Sequence, residues 1–145
     1  MSTKKIAAAT SLAMLCSVAH AGTFTTRAHG DGIQDVGASI SDIVTENFTR
    51  AFDSKTYAIV VSYQHHQIGD DNFCAAQVGV SRRPAAKRSV AIPDWRFQTA
   101  RVERNTGSMS YGQKEACMVA AVRSAVRDLM QADPETIRAK SSESL

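Results

Sequence analysis

The chain has 145 residues, of which 17 are lysine or arginine and 14 are aspartate or glutamate, for a formal net charge of +3. This length suits one folded domain with its own core and is too short for two. Beyond residue 21, no segment is apolar enough to span a bilayer, which takes about 20 apolar residues. The sequence therefore does not predict stable membrane insertion.

Residues 1–21 have the pattern of a secretory signal peptide. Two lysines precede an apolar run, and Ala19-His20-Ala21 forms an A-x-A cleavage site. A lipoprotein signal is excluded because Leu15 stands where a small residue should precede Cys16. We therefore expect an exported protein, periplasmic or secreted, that begins at Gly22. The alternative is an N-terminal anchor that stays uncut.

Two cysteines remain after cleavage, Cys74 and Cys117. An even number of cysteines in an oxidising compartment predicts a disulfide between them. It would close a loop of 43 positions and stabilise the fold by about 4 kcal/mol. The alternative is that Cys117 is a free, buried thiol that packs as a small apolar side chain.

The first part of the exported chain divides into a leader and a helix. Residues 22–32 show no periodicity and predict a flexible leader. From residue 33 onward, apolar side chains recur at steps of three and four residues, which predicts an amphipathic helix, firm over 39–51.

Strand patterns occupy the middle of the chain. Residues 57–63 and 73–81 alternate in strand fashion, and 65–72 are interpreted as the loop of an antiparallel hairpin. A short strand is predicted at 89–92, and 95–104 is either a fourth strand or a continuation of the third.

The strongest helix pattern covers 111–131. Ser110 and Gln113 form a capping box at its start, and Pro134 ends the pattern. We predict an α+β fold, an antiparallel sheet of three to four strands with an N-terminal and a C-terminal helix packed on one face. The single domain covers 33–132, and 133–145 form a polar C-terminal tail.

The predicted hairpin loop carries the residues that most resemble a metal or catalytic site, namely His65, His66, Asp70 and Asp71. Histidine and carboxylate side chains bind zinc or copper. However, adjacent histidines on a strand point to opposite faces and rarely share one ion. A polar turn explains the same residues, so we expect no metal and no cofactor.

Basic residues form the second candidate site. Residues 22–80 carry a net charge of −4 and residues 81–145 one of +5. The link between the second and third strands contains Arg82, Arg83, Lys87 and Arg88. Such a patch can meet an acidic partner. The alternative is a solvated surface that acidic residues of the first helix partly neutralise.

Other functions have little support in the residues. The chain has no G-x-S-x-G, C-x-x-C or H-E-x-x-H motif, so we do not predict an enzyme. Trp95 and Phe97 lie between arginines and could stack on bases, but an exported protein is not expected to meet nucleic acid.

These observations favour a binding protein. We expect a small exported domain that binds another envelope protein, such as an immunity protein or inhibitor, or an accessory part of an envelope assembly. Its candidate surfaces are the 65–72 segment and the 82–88 link. The alternative is a small periplasmic enzyme or a metal or ligand carrier that uses residues 65–71. The oligomeric state does not follow from the sequence.

Overall fold

The computed structural model describes residues 22–83 and 97–142. The predicted signal peptide, the 89–92 strand and the start of the 95–104 strand lie outside these residues. The elements, in chain order, are β1 (Thr26–His29), α1 (Val36–Ile40), α2 (Glu46–Ala51), β2 (Tyr57–Ile68), β3 (Asp71–Arg82), β4 (Gln98–Thr106), α3 (Tyr111–Gln131) and α4 (Pro134–Ser142).

The fold is α+β, as predicted, but its sheet is mixed. The strand order is β1-β2-β3-β4, and both β2–β3 and β3–β4 are antiparallel. The prediction of a purely antiparallel sheet is wrong because β1 pairs with β2 in parallel, with Thr26 opposite Ile59. The strand lies in the segment predicted to be a flexible leader. Its four residues are too few to show an alternating pattern.

The predicted N-terminal helix is two short helices. Asp35 caps α1, where its carboxylate accepts a bond from Ala38 N (2.9 Å). Thr45 caps α2 by accepting from Phe48 N (3.3 Å). The apolar periodicity is still present, with Ile40 and Phe48 both buried. A side chain that caps a helix begins a new one, so Thr45 divides the predicted helix.

The hairpin is longer than predicted and its loop is shorter. Strands β2 and β3 each have 12 residues, and only Gly69 and Asp70 connect them. Gly69 has a φ of +61°, as the first central residue of a type II′ turn requires. The prediction that 65–72 form a loop is therefore wrong, because a two-residue Gly-Asp turn lets the strands pair up to Ile68 and Asp71.

The C-terminal helices pack onto the rest of the domain. Helix α3 has the predicted bounds and the predicted Ser110–Gln113 capping box. In the segment predicted as a polar tail, Asp133 caps α4 by accepting from Thr136 N (3.0 Å). Ile137 of α4 is buried in the core cluster. The apolar Ile137 thus extends the folded domain into this segment.

The core lies between the helices and one face of the sheet, which we call the helix face. Side chains on this face alternate along the strands and include Ile59, Val61, Tyr63, Cys74, Ala76, Val78 and Val80. They pack against buried residues of α3, namely Met118, Ala121, Val122, Ala125, Val126 and Leu129. Val36, Ile40 and Phe48 of the first two helices join the same cluster. Hence α1, α2 and α3 share this side of the sheet.

The disulfide predicted between Cys74 and Cys117 is present, with the two Cα atoms 5.9 Å apart. It joins the middle of the sheet to the second turn of α3, and both cysteines are buried. In the described part of the chain, no helix is long and apolar enough to cross a membrane.

Replacing both Cys74 and Cys117 with alanine is expected to lower the free energy of unfolding by about 2–5 kcal/mol. The loss arises because the unfolded chain is no longer constrained by a closed loop. Urea denaturation measures it. A reductant should lower the free energy of unfolding of the native protein by a similar amount and should not change that of the double variant. Equal stability of the two proteins would contradict a structural role for the disulfide.

Arg123 of α3 joins this helix to the segment after α1. Its Nη1 and Nη2 atoms donate to the Asp42 carboxylate, each at 2.7 Å, and Nη1 also donates to the Ser39 carbonyl (2.6 Å). The hydrogen bonds from Arg123 lower the pKa of Asp42 from 3.8 to about 2.

This shift predicts a specific pH dependence. A lowered carboxyl pKa stabilises the folded state above about pH 3.9, and the contribution is lost as the pH falls through the folded-state value. Asp42→Asn should therefore lower stability at pH 5 and have a smaller effect at pH 2. Urea denaturation at both pH values tests this, and equal effects at both would contradict it.

Candidate functional site

The second face of the sheet, which we call the open face, presents a mixed polar and apolar surface. The strand register places Gln64, Ala75 and Val102 in one row across β2, β3 and β4. His66, Phe73 and Arg104 form the next row, and Ile68, Asp71 and Thr106 the last. The open face is defined by these nine residues.

Apolar side chains on this face remain accessible to solvent. Val102 is 63% exposed and Ile68 is 69% exposed, and both are among the large apolar residues that the fold leaves uncovered. Phe73 and Ala75 are half-buried between polar neighbours. Antiparallel sheets often have one face in water, but such faces are usually polar. Exposed apolar side chains among polar neighbours are typical of a binding surface.

Charges hold the last two rows together. Arg104 Nη2 donates to Asp71 Oδ2 (2.7 Å), and Thr106 Oγ1 donates to Asp71 Oδ1 (3.3 Å). The hydrogen bond from Arg104 is the main reason that the pKa of Asp71 is lowered. Because β3 and β4 are linked through these side chains, the open face is ordered at its hairpin end.

The two adjacent histidines lie on opposite faces, as their positions in β2 require. His65 is on the helix face, where its Nε2 is 2.9 Å from Asn72 Oδ1. Asn72 is fully buried, and its Nδ2 donates to the Gly107 carbonyl (2.6 Å). Since the amide oxygen of Asn72 can only accept, this arrangement assigns a proton to His65 Nε2. His66 is on the open face and is exposed.

The hydrogen-bonded pair of His65 and Asn72, near the hairpin turn, adjoins the disulfide. His65 lies opposite Cys74 in the strand register, and Asn105 Nδ2 donates to Cys117 Sγ (3.3 Å). These contacts connect the hairpin, β4 and the start of α3. We assign His65 and Asn72 a structural role, because their polar atoms are used in holding these elements together.

The remaining candidate residues do not gather at one site. The carbonyl of Asp70 accepts from Gly107 N (2.7 Å) in the hairpin turn. At the opposite end of the sheet, Arg82 stacks over the Tyr57 ring at 6.0 Å, and Arg83 Nη1 donates to the Ser54 carbonyl (2.9 Å). Lys87 and Arg88 lie outside the described residues.

The described residues do not form a metal-binding cluster. Across residues 22–83 and 97–142, no group of three or more histidine, cysteine or acidic side chains is placed to hold an ion. His65 and His66 point apart, and Cys74 is in the disulfide.

Sequence reasoning missed the open face. His66 lies within the predicted 65–72 loop and Gln64 between that loop and the predicted 57–63 strand, so the sequence does not indicate their register with Phe73 and Ala75. Val102 stands between charged residues and gives no apolar pattern by itself. The Gly69-Asp70 turn was the usable signal, because a two-residue turn fixes which residues lie side by side.

Comparison with models of known protein families and with the sequences of curated proteins gives no match for this chain.

Asn72→Ala should lower the free energy of unfolding by about 1–3 kcal/mol, because it leaves the Gly107 carbonyl and His65 without their bonds. Urea denaturation provides the measurement. His66→Ala, one residue from His65 but on the open face, is the matched control and should change stability by less than about 0.5 kcal/mol. Equal effects of the two variants would contradict the structural assignment of this polar group.

Proposed function

We propose that this protein is a small exported domain that acts by binding another envelope protein through its open face. The observation that carries the proposal is the exposure of large apolar side chains there, with Val102 63% and Ile68 69% exposed. The helix face is filled by the core, and Ala58 and Val60 on the opposite face are also buried. The hairpin end of that opposite face, which the nine residues define, is the exposed sheet surface available to a partner.

The layout of the open face suits protein recognition. Phe73 lies between His66 and Arg104 in its row. An aromatic side chain surrounded by polar groups is the usual form of a binding hot spot. The strands that carry these side chains are paired along their full length, so little conformational entropy would be lost on binding.

The charge of this face indicates the chemistry of the partner. It carries Arg104 and, on neighbouring β1, Arg27 opposite Val60. Asp71 is bonded to Arg104, so these two charges offset each other. Arg27 leaves the face with a net positive charge. We therefore expect a partner with an apolar patch flanked by carboxylates.

Export is part of the proposal. It is supported by the signal-peptide pattern of residues 1–21 and by the disulfide, since such bonds form and persist in oxidising compartments. Two kinds of partner fit this setting. One is a toxin or enzyme that the domain neutralises, and the other is a component of an envelope assembly. In both cases the protein acts by occupying a surface and not by catalysis.

The test places negative charge on the open face. Gln64→Glu and His66→Glu should each reduce recovery of the partner by about tenfold, because they set carboxylates against an acidic surface. Affinity capture from periplasmic extract followed by native mass spectrometry measures this.

Tyr111→Glu is the matched control, since Tyr111 is 71% exposed at the start of α3 and away from the open face. It should leave recovery unchanged. Loss of the partner with Tyr111→Glu and not with the two open-face variants would contradict the proposal.

A further inference from the structure

Strand β4 is the outer strand of the described sheet. It runs for nine residues beside β3 without a bulge, and its other side has no neighbour among the described strands. Most of its side chains are exposed, including Ala100, Arg101, Val102 and Arg104. Edge strands that must avoid pairing usually contain proline, charged side chains or a bulge. β4 has no proline and no bulge, and its charged residues, Arg101, Glu103 and Arg104, are of both signs.

The hydrogen bonds to β3 reveal which backbone groups of β4 face outward. Gly107 N donates to the Asp70 carbonyl (2.7 Å), just beyond the last ladder pair, Asp71 and Thr106. In an antiparallel pair, the residues that bond across the ladder alternate. Odd-numbered residues of β4 therefore bond to β3. The N–H and C=O groups of even-numbered residues, Val102 among them, point away from the sheet.

We infer that this edge pairs with the same edge of a second copy of the chain, across a two-fold axis at Val102. In this register Val102 faces its own counterpart, and the two valines form a hydrogen-bonded pair. Ala100 faces Arg104, and Gln98 faces Thr106. With both directions counted, the even-numbered residues would form about ten backbone hydrogen bonds.

The charges of β4 select this register. Arg101 of each copy faces Glu103 of the other, at a non-hydrogen-bonded position where opposed side chains are closest. An axis at Arg101, Glu103 or Arg104 would instead place like charges opposite each other. An axis at Ala100 would pair a shorter stretch. The edge is therefore complementary to itself in the one register that uses the whole strand.

The side of α3 that faces β4 carries small side chains where the helix of the second copy would lie. Asp128 of α3 binds Arg101 of β4, with Nε 2.5 Å from Oδ2. One and two turns earlier on the same side of α3 are Ser124 and Ala120. Both are small, so two antiparallel α3 helices can approach above the joined strands. A two-fold axis perpendicular to the sheet puts both open faces on one side, which produces a continuous double surface.

Sedimentation equilibrium of the purified, disulfide-bonded protein tests the inference, over about 1 µM to 1 mM. The expected result is a reversible monomer–dimer equilibrium. Glu103→Arg and Arg101→Glu should each weaken dimerisation at least about tenfold, because each sets like charges opposite one another. The double exchange, Arg101→Glu with Glu103→Arg, should restore it.

Two further variants separate folding from pairing. Val102→Lys puts two lysines on the axis at an exposed position and should abolish the dimer while circular dichroism stays native. Asp128→Asn removes the partner of Arg101 within the chain. It should change the dissociation constant of the dimer by less than about twofold. A monomer at all concentrations, or a dimer insensitive to the charge reversals, would overturn the inference.

This inference does not rest on the proposed function. The variants expected to weaken partner binding lie on β2, and those expected to weaken dimerisation lie on β4. Either can fail while the other holds.

Discussion

The packing of α3 against β3 and β4, fastened by the Cys74–Cys117 disulfide, determines the rest of this structure. The apolar side of α3 fills the helix face, with Val122, Ala125 and Leu129 fully buried. The disulfide sets where along the sheet the helix lies. Two turns after Cys117, Thr99 Oγ1 of β4 donates to the Ala125 carbonyl (2.7 Å). This bond fixes the position of α3 along the sheet at a second point. The helix face is thereby covered, and the exposed sheet residues lie at the hairpin end of the opposite face.

The elements around α3 are joined by charged side chains that bridge otherwise separate segments. Arg123 bonds to Ser39 of α1 and to Asp42 between α1 and α2, and Arg138 of α4 donates to the Ala51 carbonyl at the end of α2. Arg138 also lies over the Phe52 ring at 5.5 Å. Exposed ion pairs contribute little stability one by one. Here their effect is to orient short helices whose own hydrogen bonds are few.

Parts of the fold could be predicted because their signals are local. Helix α3 has a long apolar period with a capping box, and the disulfide was predictable from two cysteines in a chain that we expect to be exported. Strand β1 could not be predicted, because its four residues depend on the backbone of β2 for their conformation. The division of the first helix at Thr45 shows how one capping side chain can override an apolar period.

The candidate site was harder to predict for a physical reason. A surface on a sheet is built from residues of different strands, so its composition depends on register. If 65–72 are interpreted as a loop, no strand register can be assigned to His66. Its position beside Phe73 and Arg104 then cannot be predicted. Two residues of the predicted metal site lie elsewhere: His65 is on the helix face and Asp70 is in the hairpin turn. Chemically distinctive residues were thus less informative than the turn between the strands.

We propose that this protein binds its partner through the open face. Hydroxyl-radical footprinting of the protein, alone and with its captured partner, locates the contact surface. We predict that His66, Phe73 and Val102 lose reactivity on binding, while Tyr111 and Met130 of α3 keep theirs. Protection of the α3 residues with an unchanged open face would contradict it.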